Sequence, residues 1–447
     1  VTAGLPTFTG SLPTVTAGVP TVTGGIPVLE DAADAEVRTA DAARTRGAVT
    51  ALVITVLTTI SAIGPLATDM YVPAFPQVTD ALGTTAARMQ LTLTAFFLGS
   101  AAGQVIAGPL SDRVGRRGPM MFGLALCLLA SIGCAMTQSV ELLLVLRILQ
   151  GFGGGFGMVL GRAVVIDLSE GPELFRVMNI MQGVGGIAPI VAPLLGGAIM
   201  MFGQWREVFV VIAVMSGLSL LGTILLVPES LDRSRRHSGG LRTFARNVGT
   251  LLRRRTFMSY LFVNAFSAFA LMAYVSASSF ILQSMLGFDA TTYSVLFAVN
   301  SLGMMGCSLL SARLSRRFHP RQVARVGLSL VAVGSVVLFI GAVFLGTPVW
   351  IVLPGFFLVV APQGLIFGNT GAMASDEARE FAGTGSAMLG LGFSFAASAS
   401  APIVGIAGTH SAVPMAVVMV IGCALSAVCF RFAGLPGRSD REAQVIA

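Results

Sequence analysis

Residues 108–117 read Gly108-Pro109-Leu110-Ser111-Asp112-Arg113-Val114-Gly115-Arg116-Arg117, with a long apolar run directly on each side. A charged side chain at the centre of a bilayer-spanning helix costs about 3 kcal/mol or more. Three arginines and an aspartate in one decapeptide therefore place it outside the hydrocarbon, as a short turn at one face of a bilayer. Gly108 and Gly115 permit a tight reversal and close helix approach. Asp112, Arg113 and Arg116 supply charges that can lock neighbouring helix ends together.

The rest of the composition agrees. The chain has 447 residues, 54% hydrophobic and 11% charged, against about 25% charged in soluble domains. Such a chain is expected to be an all-α integral membrane protein. Its net charge of +7 invites a nucleic-acid partner, but the arginines follow membrane topology instead, so none is expected. All 28 basic residues are arginine. Cys127, Cys134, Cys307, Cys423 and Cys429 lie in apolar runs without a paired spacing, which suits small packing residues rather than a metal site or disulfide framework.

About 20 apolar residues cross the bilayer as a helix, and twelve such windows recur: 48–70, 89–108, 119–137, 142–166, 177–201, 207–228, 257–284, 291–312, 324–346, 349–373, 383–407 and 413–433. They divide into a six-helix bundle at 48–228, a polar arginine-rich linker at 229–256 and a second six-helix bundle at 257–435. Residues 1–47 and 436–447 are expected to be cytoplasmic tails. The first is expected to be disordered, because Pro6, Pro13, Pro20 and Pro27 recur every seventh residue and forbid a helix. With the amino end inside, the outer loops hold Arg88 and Arg206, Arg147 lies within a span, and every other arginine falls on the inner side. That bias gives both termini a cytoplasmic location.

The halves repeat. Ser111–Arg117 aligns at an offset of 200 positions with Ser311-Ala-Arg-Leu-Ser-Arg-Arg317, as Phe97 does with Phe297. Ala188-Pro-Ile-Val191 recurs as Ala401-Pro-Ile-Val404. Repeated halves around a central site are how secondary transporters are built.

Two intramembrane charges stand out. Asp69 closes the first window, and Arg147 lies near the start of the fourth, at a similar depth in the outer half. They can pair or share a proton-linked cavity. Asp69 can equally be an interfacial helix-end residue, and Arg147 a structural arginine bonded to backbone carbonyls. No His-Glu-x-x-His or Gly-x-Ser-x-Gly set occurs, and His237, His319 and His410 fall in loops, so an enzyme is not expected. A channel would not require the repeat.

The 108–117 turn resembles the loop between the second and third helices of the major facilitator superfamily. Arg147-Ile-Leu-Gln-Gly151 resembles that superfamily's fourth-helix Arg-x-x-Gln-Gly motif, and Ala192-Pro-Leu-Leu-Gly-Gly197 its antiporter signature, with Ala192 for the first glycine. With Thr68–Pro73, Gly161-Arg-Ala163 and Asp167, these strings resemble the Bcr/CflA drug-resistance exporters, which include bicyclomycin and chloramphenicol exporters. The resemblance implies two pseudo-repeated six-helix halves in the cytoplasmic (inner) membrane, acting as a monomer. It implies no cofactor and no metal, with the proton gradient as energy source. It implies proton-coupled antiport of small molecules by alternating access, and the few cavity acids suit an amphipathic, neutral or weakly charged substrate. Proton-coupled uptake or export of a small metabolite is the rival. Asp69 and Arg147 would carry the proton. Gly108, Asp112, Arg113, Gly115, Arg116 and Asp167 would form a conformational latch, with Asp167 pairing to Arg116 and Asp112 facing the eleventh helix. Pro189, Pro193, Gly196 and Gly197 would bend and pack the fifth helix. Tyr71, Gln150, Asn264, Tyr274, Gln363 and Asn369, on helices one, four, seven and ten, would line the substrate cavity, although each can equally bond helix to helix.

Overall fold

In lipid a backbone must satisfy its own hydrogen bonds, so apolar runs of this length become helices. The computed structural model describes residues 51–169, 171–232, 236, 240–407 and 411–433. The expected tails, His237 and His410 lie outside the described residues. Among the described residues, twelve helices are long and apolar enough to cross a membrane. The first six are Ala51–Ala81, Ala86–Val114, Arg117–Met136, Val140–Leu168, Arg176–Phe202 and Trp205–Leu226. The second six are Arg255–Met285, Ala290–Leu314, Pro320–Phe344, Val349–Glu377, Gly383–Val404 and Val413–Phe432.

Local chemistry sets the ends. The Thr85 and Ser139 hydroxyls accept from the amides of Arg88 and Leu142 and cap the second and fourth spans. Asp289 caps the eighth by accepting from Thr291 and Thr292. His319 Nδ1 accepts from the Arg321 amide ahead of Pro320, so this histidine is a helix cap. Such caps replace bonds that the first turn of a helix lacks.

Three elements depart from the sequence reading. The first span does not end at residue 70. Its helix breaks after Asp69, passes through a tight turn at Val72–Ala74 and resumes at Phe75–Ala81. Pro73 and Pro76 read as a terminator in the sequence, yet proline is tolerated where a new helix begins. The tenth span is broken between Val360 and Gln363 at Pro362. Inside the linker, Gly240–Arg253 is a helix that buries Leu251 and leaves Arg246, Leu252 and Arg253 exposed. It packs on the second and eleventh spans and defines what we call the linker side of the molecule.

The two halves meet mainly between the second and eleventh spans and between the fifth and eighth. On the far side they are sealed. Phe75 lies 5.9 Å from Phe280 between ring centroids, and Gln283 Nε2 donates to the Pro73 carbonyl at 3.0 Å. Thr94 Oγ1 donates to the Ser398 carbonyl at 2.9 Å. A Cβ on Gly197 of the fifth span would collide with Ser294 of the eighth. Toward the linker side the same two helices separate. A Cβ at Gly186 or Gly183, on the same face of the fifth span as Gly197, would meet nothing within 4 Å. The halves are thus closed on the far side and parted on the linker side.

Candidate transport site

Between the halves lies a cavity of about 330 Å³, at the small end of the range for ligand pockets. Its wall is largely apolar and aromatic, with Phe96, Phe97, Tyr274, Phe297, Phe367 and Phe393. Polar groups on it are few: Thr68, Asp69, Ser100, Gln104, Ser301 and Ser394. Asp69 is the one carboxylate among the lining residues. Because the helix continues beyond it to Ala81, Asp69 is not an interfacial end residue. It sits at an interior break, where the Thr68 hydroxyl donates to its Oδ1 at 3.0 Å. Gly196 packs against the Met70 carbonyl, where any Cβ would collide, so the fifth span presses on the chain just past this carboxylate.

Arg147 does not line the cavity. It is fully buried in the first half, and no hydrogen bond or ion pair joins it to Asp69. Its Nη1 donates to the Ala67 carbonyl at 3.0 Å and to Gln150 Oε1 at 2.6 Å. Its guanidinium lies 4.5 Å from the Phe96 centroid and 5.0 Å from that of Tyr71. Of the readings the sequence left open, Arg147 takes that of a structural arginine bonded to backbone carbonyls, and its link to Asp69 is indirect. A guanidinium withdrawn from water takes carbonyls and ring faces when no carboxylate reaches it. By gripping the carbonyl two residues before Asp69, Arg147 fixes the turn that carries the acid.

Of the six residues expected on the cavity wall, Tyr274 is there, accepting from Asn300 Nδ2 at 3.0 Å. The other five bond between or within helices. Tyr71 meets Phe75 edge to face, lies tilted against Phe209 and accepts from the Thr92 hydroxyl. Gln150 joins Arg147 to Ser131. Asn264 donates to Thr370, and Gln363 to the Ser267 carbonyl. Asn369 donates to Ser311 and accepts from Ser315. Buried amides and hydroxyls must find partners, and in these positions they found neighbouring helices. The wall residues missed by the sequence reading come chiefly from the first, second, seventh, eighth and eleventh spans. Phe97, Ser100 and Gln104 share one face of the second span, Phe297, Ser301 and Met304 line the wall from the eighth, and the Phe97–Phe297 repeat was the available signal.

At the linker side, Arg116 donates to Asp112 at 2.6 Å, to Asp167 at 3.0 Å and to Ser111 at 2.7 Å. Asp112 thus pairs within its own turn instead of facing the eleventh helix, because the halves are parted at this level. Asp167 also accepts from Ser230, and Glu229 accepts from the amides of Arg116 and Arg117. Gly115 has φ +106° and lies against Glu229, so it needs to be glycine. Gly108 meets nothing within 4 Å, and Arg113 is exposed. Pro189 lines the cavity, while Pro193 lies in the same helix one turn further on. No group of three or more potential metal ligands occurs among the described residues.

Comparison with known proteins places this geometry. The chain is 32% identical over 373 residues to an uncharacterized MFS-type transporter of Bacillus subtilis, YdgK, covering 83% of this chain and 92% of that one. It is 28% identical over 341 residues to a bicyclomycin resistance protein homolog of Haemophilus influenzae, covering 76% and 85%. A bacterial homolog of the human lysosomal transporter Spinster, solved in an inward-facing and occupied conformation, superposes with a TM-score of 0.67 at 16% identity, over 85% of this chain and 95% of that one. With the model of the Major Facilitator Superfamily matching residues 57–402, the chain belongs to that superfamily, whose members are transporters rather than enzymes.

Proposed function

We propose that the protein exports amphipathic small molecules in exchange for protons, by alternating access between its two halves and as a monomer in the cytoplasmic membrane. The observation that carries this reading is Asp69, a single carboxylate on the wall of an aromatic cavity, at a helix break packed by the fifth span. A lone acid in low dielectric holds its charge at a cost, so its proton occupancy responds to what fills the cavity beside it. Substrate arriving from the linker side and protons arriving from the far side would then compete for one state each. The arginine bias makes the linker side cytoplasmic, so the structure corresponds to loading. Relatives named for bicyclomycin resistance support a drug-like substrate. The twin contacts of fifth-span Gly196 and Gly197, one to each half, support a moving seal.

The test is transport in proteoliposomes with an imposed pH gradient. Wild type is expected to drive a fluorescent amphiphile against its gradient when the proton gradient points the opposite way. Asp69→Asn is expected to bind the amphiphile yet fail to couple it to protons. Coupled transport at the wild-type rate by Asp69→Asn would overturn the assignment, and uptake in the direction of the proton would replace export by symport.

A further inference from the structure

The fourth span holds a second arginine whose surroundings differ from those of Arg147. Gly157 and Gly161 turn toward the first span, against Ile60 and Leu57. Gly151 and Gly155 turn toward the second span, against Phe96 and Ser100. Between those two contact lines runs the stripe that faces the other half, and Met158 on it lines the cavity. Arg162 is four residues after Met158 and seven after Gly155, hence at the second-span edge of that stripe and one turn nearer the linker side. It is exposed although it lies inside a span. No described residue pairs with it, and the nearest acid on its own helix, Asp167, is already held by Arg116 and Ser230. A permanently charged guanidinium one helical turn to the linker side of an apolar cavity, without a protein counter-ion among the described residues, is suited to an incoming anion.

We infer that Arg162 is an anion-recognising rim at the linker-side mouth of the cavity, selecting amphipathic molecules that carry a sulfonate, carboxylate or comparable acidic group over neutral molecules of the same shape. This deepens the export reading by naming the substrate class, and it rests on that cavity being the transport cavity. Entry would begin with the acidic group on Arg162 while the apolar body slides past Met158 to the phenylalanines. The deep carboxylate of Asp69 would repel the same acidic group, so the molecule is held with its anionic end toward the mouth.

A matched pair of fluorescent probes tests this by binding alone. 8-Anilinonaphthalene-1-sulfonate and N-phenyl-1-naphthylamine share the aromatic body and differ by the sulfonate. Purified protein in phosphatidylcholine nanodiscs, corrected against empty discs, is titrated with each. Arg162→Gln is expected to weaken the sulfonate probe about tenfold and the neutral probe by less than twofold. Arg162→Lys should recover most of the loss, and Arg246→Gln on the linker helix should change neither. Equal weakening of both probes, or no change for the sulfonate, overturns the proposal. A thermal melt of each variant identifies any loss due to misfolding, in which case Arg162→Lys alone decides by its ratio of the two affinities. The assay needs no proton coupling, so the effect of Arg162 on the ratio is read even if the export reading itself fails.

Discussion

The two halves share a frame and differ in where they place charge. In the fourth span Gly151 packs on the second span, and in the tenth Gly364 packs on the eighth, each against a backbone carbonyl and each preceded by a glutamine, Gln150 or Gln363, that bonds to a further helix. Three positions before the glutamine stands Arg147 in one half and Val360 in the other. At the linker-side turns, Arg116 binds Asp112 and Asp167 in the first half, whereas Asn369 joins Ser311 and Ser315 in the second. The helix contacts are thus built from small residues that both halves keep. The buried ionic chemistry is added to the first half, whereas the ion pairs of the second, such as Arg254 with Glu380, lie at its surface.

If the frame is common, breaking it should be equally severe on both sides. Gly151→Leu and Gly364→Leu would drive side chains into the carbonyls of Phe96 and Met304. Each should cost about 3 kcal/mol or more, since overpacking of tight contacts is poorly relieved. Gly154→Ala, where a Cβ meets nothing within 4 Å, should be neutral. Fluorescence-detected size-exclusion and melting curves read all three. Tolerance of Gly364→Leu beside loss of Gly151→Leu would show that the second half packs by a different rule.

The next change makes the first half resemble the second. Arg147→Val removes the donor to the Ala67 and Thr92 carbonyls and to Gln150. Orphaned buried acceptors cost about 1–3 kcal/mol each, offset by relief of the guanidinium's own desolvation. A net loss of about 1–3 kcal/mol is expected in the melt. Because the Ala67 grip fixes the turn carrying Asp69, proton-coupled transport should fall further than stability does. Wild-type coupling in Arg147→Val would reduce this difference between the halves to packing.

The turns offer a smaller contrast. Asp167→Asn breaks a mostly buried charge pair, with side-chain exposures of 13% for Arg116 and 19% for Asp167, and should cost about 1–2 kcal/mol. Asn369→Ala removes neutral bonds and should cost about 1 kcal/mol. Transport should slow in Asp167→Asn and not in Asn369→Ala at matched expression. Equal slowing in both would mean that the charge of the first turn has no role of its own.

This division also marks what a sequence can disclose. Hydropathy depends on composition alone, so all twelve spans were visible, and the 108–117 turn announced itself by its charge. The linker helix, the resumption of the first span past Pro73 and the break at Pro362 depend on neighbours and were not visible. The site was less legible. Asp69 and Tyr274 reach the cavity, but Tyr71, Arg147, Gln150, Asn264, Gln363 and Asn369 are turned to other helices. A polar residue in an apolar run is equally at home bridging helices or facing a cavity. Which it does is set by rotation about the helix axis, fixed by contacts hundreds of residues away, such as that of Thr94 with Ser398.

The smallest expected effect separates the two halves by acid. The second span begins on the neutral cap of Thr85, and the eighth on the carboxylate of Asp289. The hydroxyl of Thr292 and the amides of Thr291 and Thr292 hold the Asp289 carboxyl below its ordinary value of 3.8. A folded value below the unfolded one stabilises the helix start above the unfolded value, and that contribution disappears as the pH falls through the folded one. The group is fully exposed, so solvent screening keeps the effect local. Hydrogen exchange at the first turn of the eighth span, corrected for intrinsic rates, should therefore accelerate below about pH 4, while the first turn of the second span stays unchanged. Asp289→Ala should make the eighth span's exchange fast and independent of pH over the same range. If acid loosens both starts alike, the difference in capping is not what governs them, and the protonation of some group shared by the two halves must be responsible.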